Sequence, residues 1–134
     1  HLKFLAPGFL YSVGMPPSVT ASALAALRCL ANDGDRVRTV QARGELFLRL
    51  AKAAGLNTAT STGLAVIPVI TGSSFKAGRL SSALFDRGIN AQPILYPAVP
   101  EHVARVRFFV SCEHTEEQII QTVAIVAEEL AKIG

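Results

Sequence analysis

Hydrophobic and polar positions along this chain follow two periods, and the points where one gives way to the other mark its elements. Pro16-Pro17 stops any earlier helix, and residues 18–32 then place Ala21, Leu24, Leu27 and Ala31 on one stripe, which predicts a helix ending at Asn32-Asp33-Gly34. A second helix is predicted over residues 35–54, with Val37, Val40, Phe47, Leu50, Ala51 and Ala54 on one side and Arg36, Arg38, Arg43 and Arg49 mostly on the other. The continuous apolar run over residues 64–70 predicts a buried strand, with Pro68 where one ladder bond is not needed. Thr71-Gly72-Ser73 leads into a helix running to Arg87, where Gly88 supplies a left-handed cap and Ile89 packs back. Residues 89–92 read as a short extended piece, and residues 93–100 as a proline-rich loop carrying Tyr96.

Period two returns at residues 104–111. Alternate side chains of a strand face opposite ways, so Val106, Phe108 and Val110 form an apolar face while Arg105, Arg107 and Ser111 form the other. Thr115 and Gln118 have the spacing of a capping box, opening a last helix with a stripe of Ile119, Ile120, Val123, Val126, Ala127, Leu130 and Ile133. The order helix, helix, strand, helix, strand, strand, helix predicts a two-layer α+β sandwich: a small, mainly antiparallel sheet with helices on one face. Residues 1–34 read as a connecting segment and helix, and residues 35–134 as a small α+β domain. The arginine face of the sheet is then left either to water or to an anion. A guanidinium fork on a rigid strand suits a carboxylate or phosphate.

Length and composition narrow the function more than they define it. The chain has 134 residues, enough for one core but few for an enzyme holding a bulky cofactor. Its net charge of +3 is spread over many positions, and it has two Tyr, seven Phe and no Trp, so it offers no basic aromatic platform for nucleic acid. No apolar run reaches membrane-spanning length and the first residues lack a secretory pattern, which leads to an expectation of a cytoplasmic protein with no membrane partner. Cys29 and Cys112 have no metal-ligand spacing, and both are expected to be buried free thiols.

No complete catalytic set and no metal site can be assembled from these residues. His1 is terminal, His102 lies in the proline-rich loop, and His114 stands at a strand-to-helix junction, where it either bonds to backbone or serves a site. Ser73-Ser74-Phe75-Lys76-Ala77 resembles the lysine motif of pyridoxal phosphate enzymes. Lys76, however, falls in the first turns of an amphipathic helix, where a solvated lysine is expected rather than a desolvated Schiff-base group.

Four stretches, in order, resemble one family. They are Phe9-Leu10-Tyr11-Ser12-Val13-Gly14-Met15-Pro16-Pro17, Ala65-Val66-Ile67-Pro68-Val69-Ile70, Gly88-Ile89-Asn90-Ala91-Gln92-Pro93 with Pro97-Ala98-Val99-Pro100, and Arg105-Val106-Arg107 through His114-Thr115-Glu116-Glu117-Gln118-Ile119. Together they resemble the C-terminal part of the α-oxoamine synthases, pyridoxal-phosphate-dependent acyltransferases of fold type I. The resemblance implies a small C-terminal domain whose catalytic large domain, with the cofactor lysine, is absent from this chain, so that the chain alone is inactive. It implies that Arg107 holds the carboxylate of an amino-acid substrate and that Ser12 gives a hydroxyl to the cofactor phosphate across a homodimer interface. Arg105 matches a supporting position, and residues 92–100 border the entrance of an acyl thioester carried on coenzyme A or acyl carrier protein. An aminotransferase on the same scaffold, or a non-catalytic module binding an acidic ligand or partner, remains the alternative.

Overall fold

The computed structural model describes His1, Leu5 and residues 15–134, which divide into two compact units, His1–Gly34 and Asp35–Gly134. In the first, helix α1 spans Pro17–Asn32 with proline in its first turn, a position whose missing N–H would have had no helical partner. None of its residues is buried, and Leu24 and Leu27 of the predicted stripe stand exposed. Cys29 is exposed as well, and Cys112 in the second unit is only half-buried. The expectation of two buried thiols is therefore incorrect: helical period marks which side chains share a stripe, but not what covers it.

The second unit comprises α2 (Gly34–Ala53), β1 (Val66–Ile70), α3 (Ser74–Asp86), β2 (Gln92–Ile94), a 3-10 turn (Glu101–Val103), β3 (Arg105–Phe109) and α4 (Glu116–Ile133). Its sheet is antiparallel in the order β1-β3-β2, with Pro68 opposite Arg107 on one side and Gln92 opposite Arg107 on the other. Helices α2, α3 and α4 cover one face, where Ile67, Val69 and Val106 meet Leu80, Leu84 and Val126 in a fully buried layer. The predicted α+β class and single-faced helical layer are those observed.

Both strand prolines are tolerated for the same reason. The Ile70 N–H points away from β3 to the Asn57 carbonyl, while the Thr71 N–H bonds to Ala104 across the ladder. Pro68 shares the parity of Ile70, so its missing donor faces outward on an edge strand. Pro93, opposite Val106, likewise falls between the positions that bond β2 to β3. The predicted extended piece at residues 89–92 is thus displaced. Ile89 is taken up in the cap of α3, donating to the Leu84 carbonyl at 2.8 Å beside Gly88 at φ +80°, and pairing with β3 begins only at Gln92.

Three further expectations are corrected by the packing. On α2 only Phe47 and Ala51 of the predicted side are buried, together with Gly44 and Leu48, because only the C-terminal half of that helix meets the sheet. On β1, Val66 is exposed although it lies within a continuous apolar run, because only one face of the sheet is covered. Ile120 of the α4 stripe is half-exposed at the edge of the contact. The start of α4 is as predicted: the Gln118 N–H donates to Thr115 Oγ1 at 3.2 Å, and the Thr115 N–H to Gln118 Oε1 at 2.9 Å.

Candidate functional site

Strand β3 assigns its side chains by alternation, which places Arg105, Arg107 and Phe109 on the face opposite the one that α2, α3 and α4 cover. Arg105 is half-buried, and its Nε donates to the Val103 carbonyl at 3.0 Å, fixing the side chain back onto the 3-10 turn. Arg107 is exposed. Its guanidinium lies 5.0 Å from the centroid of the Phe109 ring, a cation–π contact that limits where the fork can point without consuming its donors. Among the described residues no carboxylate pairs with Arg107, whereas Arg36, Arg38, Arg43 and Arg87 each have an acidic partner. Gln92 and Pro68 flank Arg107 on the neighbouring strands, and Gln92 Nε2 donates to Asn90 Oδ1 at 2.9 Å. The arrangement is a cation with free donors on a face shared with Arg105 and Gln92 and with exposed apolar Val66 and Phe109.

Other sequence-predicted residues lie elsewhere. Ser12 falls outside the described residues. His114 accepts the Ser111 N–H on Nδ1 at 2.9 Å, which makes it a brace for the turn between β3 and α4. Beside it a cavity of about 430 Å³ opens next to the end of β3, before β2 begins, lined by Ile89, Phe108, Phe109, Val110 and Gln118 among others. Arg107 does not line it, and the arginine that does, Arg87, is held by Glu128 and Glu129. Lys76 follows the Ser73 cap of α3, where its backbone N–H donates to Ser73 Oγ at 3.2 Å. It is half-buried rather than fully solvated.

The loop between β2 and β3 is more ordered than its proline content suggests. Glu101 accepts the Ser74 N–H at 2.7 Å and the Ser74 hydroxyl at 2.5 Å, and the Ser74 oxygen in turn accepts the Tyr96 N–H at 3.1 Å. The bonds from Ser74 hold the Glu101 carboxyl below its ordinary pKa. Sequence reasoning missed this link, since neither residue belongs to a motif. It also missed Gly44, where an added Cβ would stand 1.5 Å from the Leu64 carbonyl oxygen. A glycine in the middle of an otherwise helical pattern was the available signal for that approach.

Comparison with known proteins places this geometry in context. Residues 1–126 match the family described as Aminotransferase class I and II. An 8-amino-7-oxononanoate synthase of Bacillus pumilus is 32% identical over 134 residues, the whole of this chain and 34% of that protein. The crystal structure of 8-amino-7-oxononanoate synthase from Francisella tularensis superposes with a TM-score of 0.80 at 25% identity, over 98% of this chain and 38% of that one. A serine palmitoyltransferase from S. paucimobilis, with bound PLP-myriocin aldimine, gives 0.83 at 23% over 100% and 35%, a likeness of fold. The chain therefore spans about a third of the length of the relatives it matches.

Proposed function

We propose, from the premise that this chain belongs to the aminotransferase class I and II family in its α-oxoamine synthase branch, that it is the small C-terminal domain of an enzyme joining an amino acid to an acyl thioester. The observation that carries this reading is Arg107: a guanidinium held against Phe109 with no carboxylate partner among the described residues, on the sheet face opposite α2, α3 and α4. A planar fork accepts a carboxylate through two parallel hydrogen bonds, and a strand backbone gives that fork a stable origin. Phe109 and Val66 on the same face would lower the local dielectric and strengthen the pair once substrate covers it. Arg107 then orients the amino acid, while Arg105, tied to Val103, supports the strand.

Pyridoxal phosphate is the cofactor of this reading, and the described residues do not form its cradle. Lys132 is bonded to Glu128 and Glu129, and Lys76 stands in the first turn of α3. Ser12 is proposed to give a hydroxyl to the cofactor phosphate across a homodimer interface. Among the described residues no helix is long and apolar enough to cross a membrane. The 8-amino-7-oxononanoate synthases among the relatives support acyl transfer over amino-group transfer.

The test is Arg107→Ala in the complete enzyme encoded by the reading frame that carries this chain. Loss of a charge-assisted pair should raise the KM for the amino acid on the order of 10–100-fold. Unchanged amino-acid affinity in a folded variant would remove Arg107 from the site.

A further inference from the structure

Resting on the reading of Arg107 as the amino-acid anchor, we infer that Phe109 is a positioning residue for that substrate, acting through Arg107 and paired across the sheet with Val66. Hydrogen-bond parity fixes these neighbours. The Thr71 N–H bonds to the Ala104 carbonyl and the Val110 N–H to the Ala65 carbonyl, so the backbone groups of Ala104, Val106, Phe108 and Val110 point toward β1. Arg107 and Phe109 fall between them. They stand opposite Pro68 and Val66 in non-hydrogen-bonded pairs, the kind in which Cα atoms are about 4.5 Å apart and side chains lie closest. Residues two apart on a strand share a face, and the Arg107 side chain runs along β3 until its guanidinium carbon is 5.0 Å from the centroid of the Phe109 ring.

Neither member of the Val66–Phe109 pair is used by the core, since both are exposed. What the ring changes is the freedom of a long side chain. An exposed arginine samples many rotamers and must give them up when it grips a carboxylate, so a contact that restricts it beforehand lowers the cost of binding. A carboxylate partner would restrict Arg107 too, but it would occupy the donors that the substrate needs. An aromatic ring restricts the guanidinium without taking a hydrogen bond from it, and the fork stays available. Phe75 and Arg79, on α3, make the same kind of contact at 5.8 Å, and they supply a matched control of equal chemistry on another element.

Two sets of measurements test this. In the 134-residue chain, Phe109→Leu should abolish the upfield ring-current shift of the Arg107 side-chain protons and leave the urea midpoint unaltered, while Phe109→Tyr should keep the shift. In the complete enzyme loaded with pyridoxal phosphate, calorimetric titration with glycine, alanine and serine, without acyl donor, should give a Kd raised about two- to fivefold by Phe109→Leu and restored by Phe109→Tyr. Introduced into Arg107→Ala, Phe109→Leu should have no further effect, and Phe75→Ala should leave every Kd unaltered. An unaltered Kd in Phe109→Leu, a rise that Phe109→Tyr does not restore, or a further rise on the Arg107→Ala background overturns the positioning role. A lowered urea midpoint in Phe109→Leu, or a raised Kd in Phe75→Ala, overturns it as well, since the effect would then be one of general stability. Unaltered binding in Arg107→Ala, or no binding of any of the three amino acids by the unaltered enzyme, overturns the reading of Arg107 itself, and the role of Phe109 with it.

Discussion

Phe108 and Phe109 are neighbours in sequence and opposites in environment. Phe108 is 6% exposed, with its ring 5.1 Å from that of Phe47, while Phe109 is 59% exposed and lies under the Arg107 guanidinium. The inner face of the sheet is accounted for by folding: Ile67, Val69, Val106 and Phe108 gain their burial against three helices. The outer face is not, since Val66 and Phe109 keep apolar surface in water beside a cation with no acidic partner among the described residues. Residue types that stability does not explain are where function is to be sought. The contrast can be broken directly. Phe108→Ala should cost about 3–5 kcal/mol, and Phe109→Ala no more than about 0.5 kcal/mol, by urea unfolding of the chain. Similar losses at both positions would mean that the outer face contributes to the core after all.

Two mid-helix glycines sharpen the same point at smaller scale. Gly44 lets α2 approach the Leu64 carbonyl, so Gly44→Ala must move backbone and should destabilise by about 1–3 kcal/mol. Gly78, on α3, has nothing within 4 Å of the place an added Cβ would take, so Gly78→Ala should stabilise by about 0.5–1 kcal/mol. Equal and opposite midpoint shifts are not required. The signs are, and a stabilising Gly44→Ala would show that the close approach does not constrain the helix.

Where local chemistry decides the outcome, the sequence was legible. The Thr115–Gln118 capping box, the Gly88 cap with Ile89 folded back on Leu84, and the alternation of β3 all depend on residues within a turn or on backbone geometry, and all appear as predicted. What failed depended on partners far along the chain. The burial of α2 was set by where the sheet meets it, so Val37 and Phe47 share a predicted side yet only Phe47 is buried. The start of β2 was set by its register with Arg107, which nothing in residues 89–92 encodes. Arg107 was legible as a candidate from alternation and resemblance, whereas Ser74 and Glu101 are 27 positions apart and meet only in the fold.

That long-range link offers the smallest and most local prediction. Glu101 is exposed, and its carboxyl is held below the ordinary glutamate pKa chiefly by the Ser74 hydroxyl and then by the Ser74 N–H. A depressed folded pKa means that the contribution is present above the unfolded value and fades as pH falls through the folded one. Acid should therefore release the loop end at Ser74 while the inner face, built from groups that do not titrate, keeps its packing. Following amide resonances during an acid titration of the chain, Ser74 and Tyr96 should shift together with a midpoint below that of an unperturbed glutamate. Val106, in the middle of β3, should not respond in that range. A Ser74 midpoint at the ordinary value would mean that the carboxylate is not bonded as the structure shows. A Val106 response with the same midpoint would mean that the loop and the core are one cooperative unit, and the division between the two faces of the sheet would have to be withdrawn.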